Sequence, residues 1–161
     1  MIDVSSHSRQ WELPDEDATQ ALAAEVADAL DAGMVFYLHG PLGAGKTSFA
    51  RALLTALGVG ERVKSPTYSL MEGYVAAGRP AWHLDLYRIA DPAELEWLGL
   101  DALSDPAAVV LVEWPERGAG ALPLADLAWQ LAYAGAGRRA TACALTSRGE
   151  SLLSRMHACH R

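Results

Sequence analysis

The sequence predicts an α/β domain in which a buried strand leads into a glycine-rich loop and then into a helix. Residues 34–38 form a short apolar run of strand-favouring residues, and residues 48–57 form an amphipathic helix. Residues 109–112 form a second continuous apolar run between two prolines, Pro106 and Pro115, which is typical of a buried central strand. Strands and helices that follow one another in this order indicate the α/β class.

The segments at the beginning of the chain predict one further strand and one further helix. Residues 9–13 form a short strand that ends at Pro14. Asp15, Glu16 and Asp17 then open a helix, because acidic side chains favour its positive N-terminal end.

The middle and the end of the chain predict two hairpins. Residues 68–75 and 80–88 are two strands whose short joint implies an antiparallel pair, because a parallel pair needs a long crossover. Asp91 caps a short helix that ends near Gly99. Residues 127–133 and 139–145 form a closing hairpin.

Length and composition predict a single domain over residues 1–148 and a C-terminal tail over residues 149–161, for which helix and disorder both stay open. The apolar fraction of 51% is ample for a core. The chain has no apolar run of about 18 residues and no signal-peptide pattern. Cys143 and Cys159 do not make a disulfide framework. We therefore expect a cytoplasmic protein that does not contact membranes.

The charge balance argues against a broad electrostatic surface for nucleic acid. The net charge is −7, and the two lysines are Lys46 and Lys64. We expect no DNA partner. A local basic patch around Arg51, Arg62 and Lys64 leaves a direct RNA contact open.

The loop over residues 40–47 fits the pattern G-x-x-x-x-G-K-[ST] at every fixed position, with a strand before it and a helix after it. Its glycines let backbone N–H groups approach a phosphate chain, and the helix N-terminus adds a positive dipole. Lys46 is predicted to reach the β- and γ-phosphates, and Thr47 to offer its hydroxyl to Mg²⁺. The motif therefore predicts a nucleotide site for ATP and magnesium.

Two carboxylates at predicted strand ends complete the candidate chemistry. Asp85 and Glu113 lie at or near the carboxyl ends of their strands, where open α/β sheets bind ligands. We interpret Asp85 as the acid on the magnesium side. Glu113 is either the base that orients the attacking water or a second magnesium ligand. A structural ion pair is the alternative for both.

Other polar and aromatic residues have a structural interpretation beside a functional one. Trp114 follows Glu113 and is either a core aromatic or part of the site lining. Thr67 is either a turn hydroxyl beside Pro66 or part of a loop that senses the γ-phosphate. Thr19 reads as a solvated helix residue, and His83 as a packed or edge residue rather than a ligand.

Four sequence segments, in this order, resemble the TsaE family (also called YjeE), the bacterial ATPases of tRNA threonylcarbamoyladenosine synthesis. They are residues 42–47 (LGAGKT), 65–68 (SPTY), 83–88 (HLDLYR) and 112–116 (VEWPE). The resemblance runs from about residue 13 to residue 145. Ser48 departs mildly from it, since a second threonine is usual there.

The resemblance implies a small P-loop NTPase domain with a mixed parallel and antiparallel central sheet flanked by helices. It implies an ATPase that is weak alone, that binds the proteins TsaD and TsaB, and that meets tRNA indirectly through their complex. TsaD and TsaB would transfer the threonylcarbamoyl group to the adenosine beside the anticodon, and ATP hydrolysis would reset the complex between turnovers.

By matching position, Thr19 would lie near the nucleotide, Thr67 in the switch-like loop, and Glu113 and Trp114 would form a functional pair. The predicted catalytic residues are Glu113, Lys46 and Asp85, and the predicted metal ligands are Thr47, Asp85 and Glu113. The predicted nucleotide-binding residues are Gly40, Pro41, Leu42, Gly43, Ala44, Gly45, Lys46, Thr47, Ser48, Thr19, Thr67 and Trp114.

Two other function classes share the phosphate loop. A small-molecule kinase would normally carry an arginine-bearing lid, and the roughly thirty residues of hairpin after Glu113 offer none. A nucleotide-switched adaptor would assemble with partners without needing hydrolysis. Phosphate transfer to a nucleoside or sugar would favour the kinase, and function retained in Glu113→Ala would favour the adaptor.

Overall fold

The computed structural model describes residues 7–60, 63 and 70–157, with His157 described by its backbone alone. Within these residues seven strands form one sheet: β1 (Ser8–Leu13), β2 (Met34–His39), β3 (Met71–Ala76), β4 (Arg79–Asp85), β5 (Val109–Glu113), β6 (Leu127–Ala134) and β7 (Gly137–Ala144). The α-helices are α1 (Glu16–Ala29), α2 (Lys46–Ala56) and α3 (Ser147–His157). Shorter 3-10 helices span Pro92–Leu98, Leu100–Ser104 and Pro115–Gly118. No helix in these ranges is both long enough and apolar enough to cross a membrane.

The sheet is mixed, as expected, and its strand order is β1-β7-β6-β2-β5-β4-β3. The four central strands β6, β2, β5 and β4 run parallel. Antiparallel strands close both edges, with β7 and β1 on one side and β3 on the other. Parallel strands are normally buried on both faces, and every residue of β5 is buried here.

The two faces of the sheet are covered by different kinds of element. The α-helices all pack on one face, against side chains such as Phe36, Leu111 and Trp129. The opposite face is covered by the 3-10 helices, whose Leu95 and Leu103 pack in one cluster with alternate strand side chains. Successive strand residues point to opposite faces, so β5 contributes to both cores.

Helices α1 and α2 begin in different ways, and the difference matters for the site. The side chain of Asp15 caps α1 by accepting the Ala18 N–H at 2.9 Å, as the acidic opening predicts. Helix α2 has no side-chain cap and begins after Gly45 in a left-handed conformation. Its first backbone N–H groups are therefore left for a ligand rather than for the protein's own side chains.

The predicted short helix after Asp91 is present, and it is a 3-10 helix. Asp91 accepts the Ala93 N–H at 3.0 Å, and Glu94 accepts the Asp91 N–H at 2.9 Å. This reciprocal pair is the predicted capping box. Gly99, in a left-handed conformation, ends the helix after seven residues.

The predicted strand over residues 80–88 ends early, at Asp85. The Asp85 carboxylate accepts the Tyr87 N–H at 3.1 Å, and the Ile89 N–H bonds to the Leu86 carbonyl at 3.0 Å. These local bonds turn the chain away from the sheet directly after Asp85. The strand end therefore lies at the carboxylate itself.

The predicted boundary between domain and tail, at residue 148, falls inside α3. This helix buries Leu152, Leu153 and Met156 in the core shared with α1. Thr146 precedes it and donates its hydroxyl to Asp126 at 2.8 Å. The segment up to Met156 is therefore packed as part of the domain, and Cys159 and His160 lie outside the described residues.

Candidate functional site

Three neighbouring parallel strands end at one edge of the sheet and bring the predicted site together. The glycine-rich loop follows β2, Glu113 ends β5, and Asp85 ends β4. In the sheet register Leu38 lies beside Glu113, and Glu113 lies beside Asp85. The loop and both carboxylates therefore share the edge where open α/β sheets bind ligands.

The loop conformation depends on glycine at two positions. Gly40 has a φ of +146°, and a Cβ there would collide with the carbonyl oxygen of Leu131. Gly43 has a φ of +79°, and a Cβ there would lie 2.6 Å from the Tyr133 hydroxyl. Both positions would be strained with any other residue, so the loop needs its glycines.

The β6–β7 hairpin fastens the outer side of the loop. The Tyr133 hydroxyl donates to the Leu42 carbonyl at 2.7 Å, and Arg138 Nη2 donates to the Gly43 carbonyl at 3.2 Å. The Arg138 guanidinium also lies 4.5 Å from the centroid of the Tyr133 ring. These contacts tie two carbonyls of the loop to the hairpin and so fix the position of the loop.

Lys46 is buried against the loop that it is predicted to serve. Its Nζ donates to the carbonyl of Gly40, and to that of Pro41 at 3.3 Å. The same ammonium lies 3.8 Å from the centroid of the Trp114 ring, a cation–π geometry. Burial lowers the pKa of Lys46, while Glu113 and Asp85 act in the opposite direction.

Thr47, Glu113 and His83 form a chain of hydrogen bonds at the base of the cradle. The Thr47 hydroxyl lies 2.8 Å from Glu113 Oε1 and 2.9 Å from Oε2. On the other side, His83 Nε2 lies 2.7 Å from Glu113 Oε2. Glu113 is 2% exposed and His83 is fully buried. A buried carboxylate needs such partners, because an unpaired charge away from water is costly.

Asp85 lies beside this chain and has a different environment. Burial raises the pKa of Asp85, and the neighbouring Glu113 charge raises it further. The backbone N–H of Tyr87 acts in the opposite direction. Asp85 is therefore a carboxylate that gains from a nearby cation, as a ligand to magnesium would.

Two aromatic rings, those of Trp114 and Tyr87, line the site. Trp114 has a left-handed φ of +57°, and its ring centroid lies 5.0 Å from that of Tyr87. The Arg117 guanidinium lies 5.5 Å from the Tyr87 centroid and donates to the Ile89 carbonyl at 3.2 Å. A left-handed backbone at a bulky residue is strained, and such strain is common at functional sites.

Two cavities flank the glycine-rich loop. The first has a volume of about 370 Å³ and contains the predicted catalytic residues. It is lined by Leu42, Gly43, Gly45, Lys46, Thr47, Ser48, Asp85, Tyr87, Arg88, Glu113 and Trp114. The second, of about 240 Å³, includes Thr19 and Arg138 in its lining. The cavities share Gly43, Gly45 and Ser48. A ligand longer than a phosphate group could therefore contact the loop from both sides.

Comparison with known proteins decides the family. Residues 13–141 match the family model described as "Threonylcarbamoyl adenosine biosynthesis protein TsaE". The chain belongs to the TsaE family. It is 38% identical over 147 residues to the TsaE protein of Haemophilus influenzae, covering 88% of this chain and 93% of that protein. It is 38% identical over 105 residues to the TsaE protein of Bacillus subtilis, covering 65% of each.

The fold agrees with that of a solved structure. The crystal structure of Bacillus subtilis YdiB superimposes with a TM-score of 0.80 at 28% identity, covering 99% of this chain and 97% of that one. The predicted family and the predicted α/β fold with a mixed sheet are both confirmed.

The structure brings most of the predicted site residues of this TsaE-family chain into one place, while their roles stay predictions. Lys46, Thr47, Asp85, Glu113 and Trp114 share the first cavity. Thr19 is buried, not solvated, and lines the second cavity. Thr67, with Ser65 and Pro66, lies outside the described residues.

Sequence reasoning assigned no role in the site to His83, Tyr133 and Arg138, which contact it. His83 is packed, as expected, yet it also bonds to Glu113, the candidate catalytic base. The spacing of His83 and Asp85 could have indicated this contact, because two residues that are two positions apart in a strand point to the same face of the sheet. Tyr133 and Arg138 carried no signal, because they lie about 90 positions from the loop carbonyls that they bind.

Tyr133→Phe is expected to raise the KM for ATP about two- to tenfold, with little change in kcat. The change removes one hydrogen bond to the loop, and such a bond contributes about 0.5–1.5 kcal/mol. Steady-state ATPase kinetics check this result. Tyr37→Phe is the matched control, because its hydroxyl donates to the Pro123 carbonyl at 2.6 Å, away from the loop. An equal change in KM in both variants would contradict the assignment.

Asp85→Asn is expected to raise the melting temperature of the ligand-free protein at pH 7. The pKa of Asp85 is higher in the folded protein than in the unfolded chain, so folding disfavours the ionised carboxyl. The folded protein therefore loses stability as the pH rises from the unfolded-state pKa of Asp85 through its folded-state pKa. Asparagine keeps an acceptor for the Tyr87 N–H and removes the charge. Thermal unfolding at pH 7 and at pH 4 checks this result, and a gain that is no larger at pH 7 would contradict it.

Proposed function

We propose that this TsaE-family protein is a magnesium-dependent ATPase that works with TsaD and TsaB in threonylcarbamoyl modification of tRNA. The observation that carries the proposal is the contact of Thr47 with Glu113 at the uncapped start of α2, in the cavity that also holds Lys46 and Asp85. A phosphate anchor, a hydroxyl and two carboxylates are the parts that phosphoryl transfer to water needs.

The chain's own groups divide the work as follows. The N–H groups at the start of α2 and the Lys46 ammonium bind the phosphate chain. The Thr47 hydroxyl gives its hydrogen to Glu113, which leaves its oxygen lone pairs for a cation. Glu113 accepts a hydrogen bond from the attacking water and orients it toward the γ-phosphorus.

The oxygen set fits magnesium, which favours oxygen ligands and is usually held by one or two carboxylates together with substrate phosphates. Thr47 and Asp85 would hold it, with Glu113 in contact with Thr47. Bound magnesium would neutralise the charge that develops on the phosphate oxygens.

Partner dependence is supported by the arrangement of Lys46. Its ammonium bonds to loop carbonyls and stacks on Trp114. To reach phosphates it must exchange these contacts, and a partner that moves Trp114 would help. The net charge of −7 agrees with a protein that meets tRNA indirectly, through TsaD and TsaB. We place this assembly in the cytoplasm.

The test is ATP hydrolysis by the purified protein with magnesium, alone and with added TsaB and TsaD. We expect slow hydrolysis alone and stimulation by the partners. Absence of hydrolysis with both partners would overturn the proposal. Phosphate transfer to a nucleoside or sugar would replace it with a kinase, and partner binding without hydrolysis would replace it with an adaptor.

A further inference from the structure

His83 occupies a place that its packing alone does not explain. It lies in β4, is fully buried, and points to the same face of the sheet as Asp85 two residues later. Its Nε2 lies 2.7 Å from Glu113 Oε2. Its Nδ1 has no hydrogen-bond partner within residues 7–60, 63 and 70–157. An apolar side chain would fill this space equally well, so packing does not account for a nitrogen directed at the Glu113 carboxylate.

The contact with Glu113 indicates which nitrogen of His83 donates. In a neutral imidazole one nitrogen donates and the other accepts. An ionised Glu113 carboxylate can only accept, so Nε2 is the nitrogen that donates to it. Glu113 therefore accepts hydrogen bonds from His83 on one side and from Thr47 on the other. Its carboxylate is held between a strand and the first turn of α2.

We propose that His83 is a positioning residue that acts on the magnesium site through Glu113. By holding Glu113 toward Thr47, His83 makes Glu113 the acceptor of the Thr47 hydrogen and turns the lone pairs of the Thr47 oxygen toward the cation. The inference rests on the proposed function, because it needs a magnesium nucleotide at this site. Substitution of a residue that hydrogen-bonds to a metal ligand without touching the metal typically lowers metal affinity or activity by about 10–100-fold.

The two amide variants of His83 form a matched pair. In His83→Gln the amide nitrogen is as many bonds from Cα as Nε2 and can donate to Glu113. In His83→Asn it is as many bonds from Cα as Nδ1, which has no partner to bind. His83→Leu removes both nitrogens. Melting temperatures of all three show whether each variant folds, and the amide pair keeps the test valid if the leucine variant does not.

The readout is ADP binding by calorimetry over a range of magnesium concentrations, which does not depend on hydrolysis. We expect His83→Asn and His83→Leu to need about tenfold more magnesium, with unchanged ADP affinity in its absence. His83→Gln is expected to restore the magnesium requirement of the wild type. Loss of ADP affinity without magnesium, or equal behaviour of the two amides, would overturn the inference.

A second variant separates positioning from packing. In a Glu113→Ala background, His83→Leu is expected to cause no further change in magnesium requirement, because the carboxyl group through which His83 acts has been removed. An undiminished effect there would overturn the inference. Wild-type protein that binds magnesium ADP but does not hydrolyse ATP with partners would overturn the proposed function and leave this binding test decisive. Wild-type protein that binds no nucleotide would overturn both.

Discussion

Glu113→Gln is expected to lower kcat for partner-stimulated ATP hydrolysis about 10²- to 10³-fold while ATP binding is retained. Glutamine keeps the size of the side chain, so Thr47 and His83 still have an oxygen to contact. It removes the negative charge that is proposed to orient and deprotonate water, and general-base catalysis contributes typically 10²–10⁴-fold. Single-turnover hydrolysis and calorimetric binding of a non-hydrolysable ATP analogue check the two parts of this result separately.

Glu96→Gln is the matched control for this variant. It makes the same chemical change at an exposed position of the 3-10 helix Pro92–Leu98, on the face of the sheet opposite the α-helices. We expect its kcat to equal that of the wild type. If Glu113→Gln retained full kcat, Glu113 would be a structural residue and the site would lack its assigned base.

Lys46→Met is expected to weaken ATP binding about 10- to 100-fold. Methionine fills much of the space of the lysine stem and can still pack on Trp114, but it brings no charge to the phosphates. Hydrogen bonds to charged groups contribute about 1.5–3 kcal/mol each, and about 1.4 kcal/mol corresponds to a tenfold change in affinity. Calorimetric titration with magnesium ATP measures the change.

The control for Lys46→Met is Arg51→Met, on the same helix. Arg51 is exposed, and the change removes one positive charge without touching the cavity that holds Lys46. ATP affinity is expected to stay within about twofold of the wild type, since exposed charges contribute little. Similar losses in the two variants would show that general charge, not a specific lysine contact, governs binding.

The local parts of this molecule could be predicted because their causes lie within a few residues of one another. The glycine spacing specifies a loop, and the Asp91–Glu94 pair specifies a helix start, since both depend on backbone torsions and neighbouring hydrogen bonds. Burial of all of β5 follows from its unbroken apolar run. The placement of Glu113 at a strand end also followed from local pattern, whereas the strand that Asp85 ends was predicted to run on to Arg88.

Other features could not be predicted because they depend on how distant segments pack. Sequence pattern did not show that β6 lies beside β2, or that the α-helices cover a single face of the sheet. The helical state of Ser147–His157 was open because its apolar side chains need α1 to pack against. Strand register and helix placement are fixed by the shared core, which no short window of sequence contains.

The same division runs through the candidate site. The sequence by itself determined the glycine-rich loop with its lysine and threonine, the candidate role of the two carboxylates, and the family to which the chain belongs. Tertiary structure decided that His83 reaches Glu113 across 30 positions and that Tyr133 reaches Leu42 across 91. The physical reason is that a hydrogen bond depends on distance in space. Strand register sets that distance for His83 and Glu113, and the packing of the β6–β7 hairpin against the loop sets it for Tyr133 and Leu42.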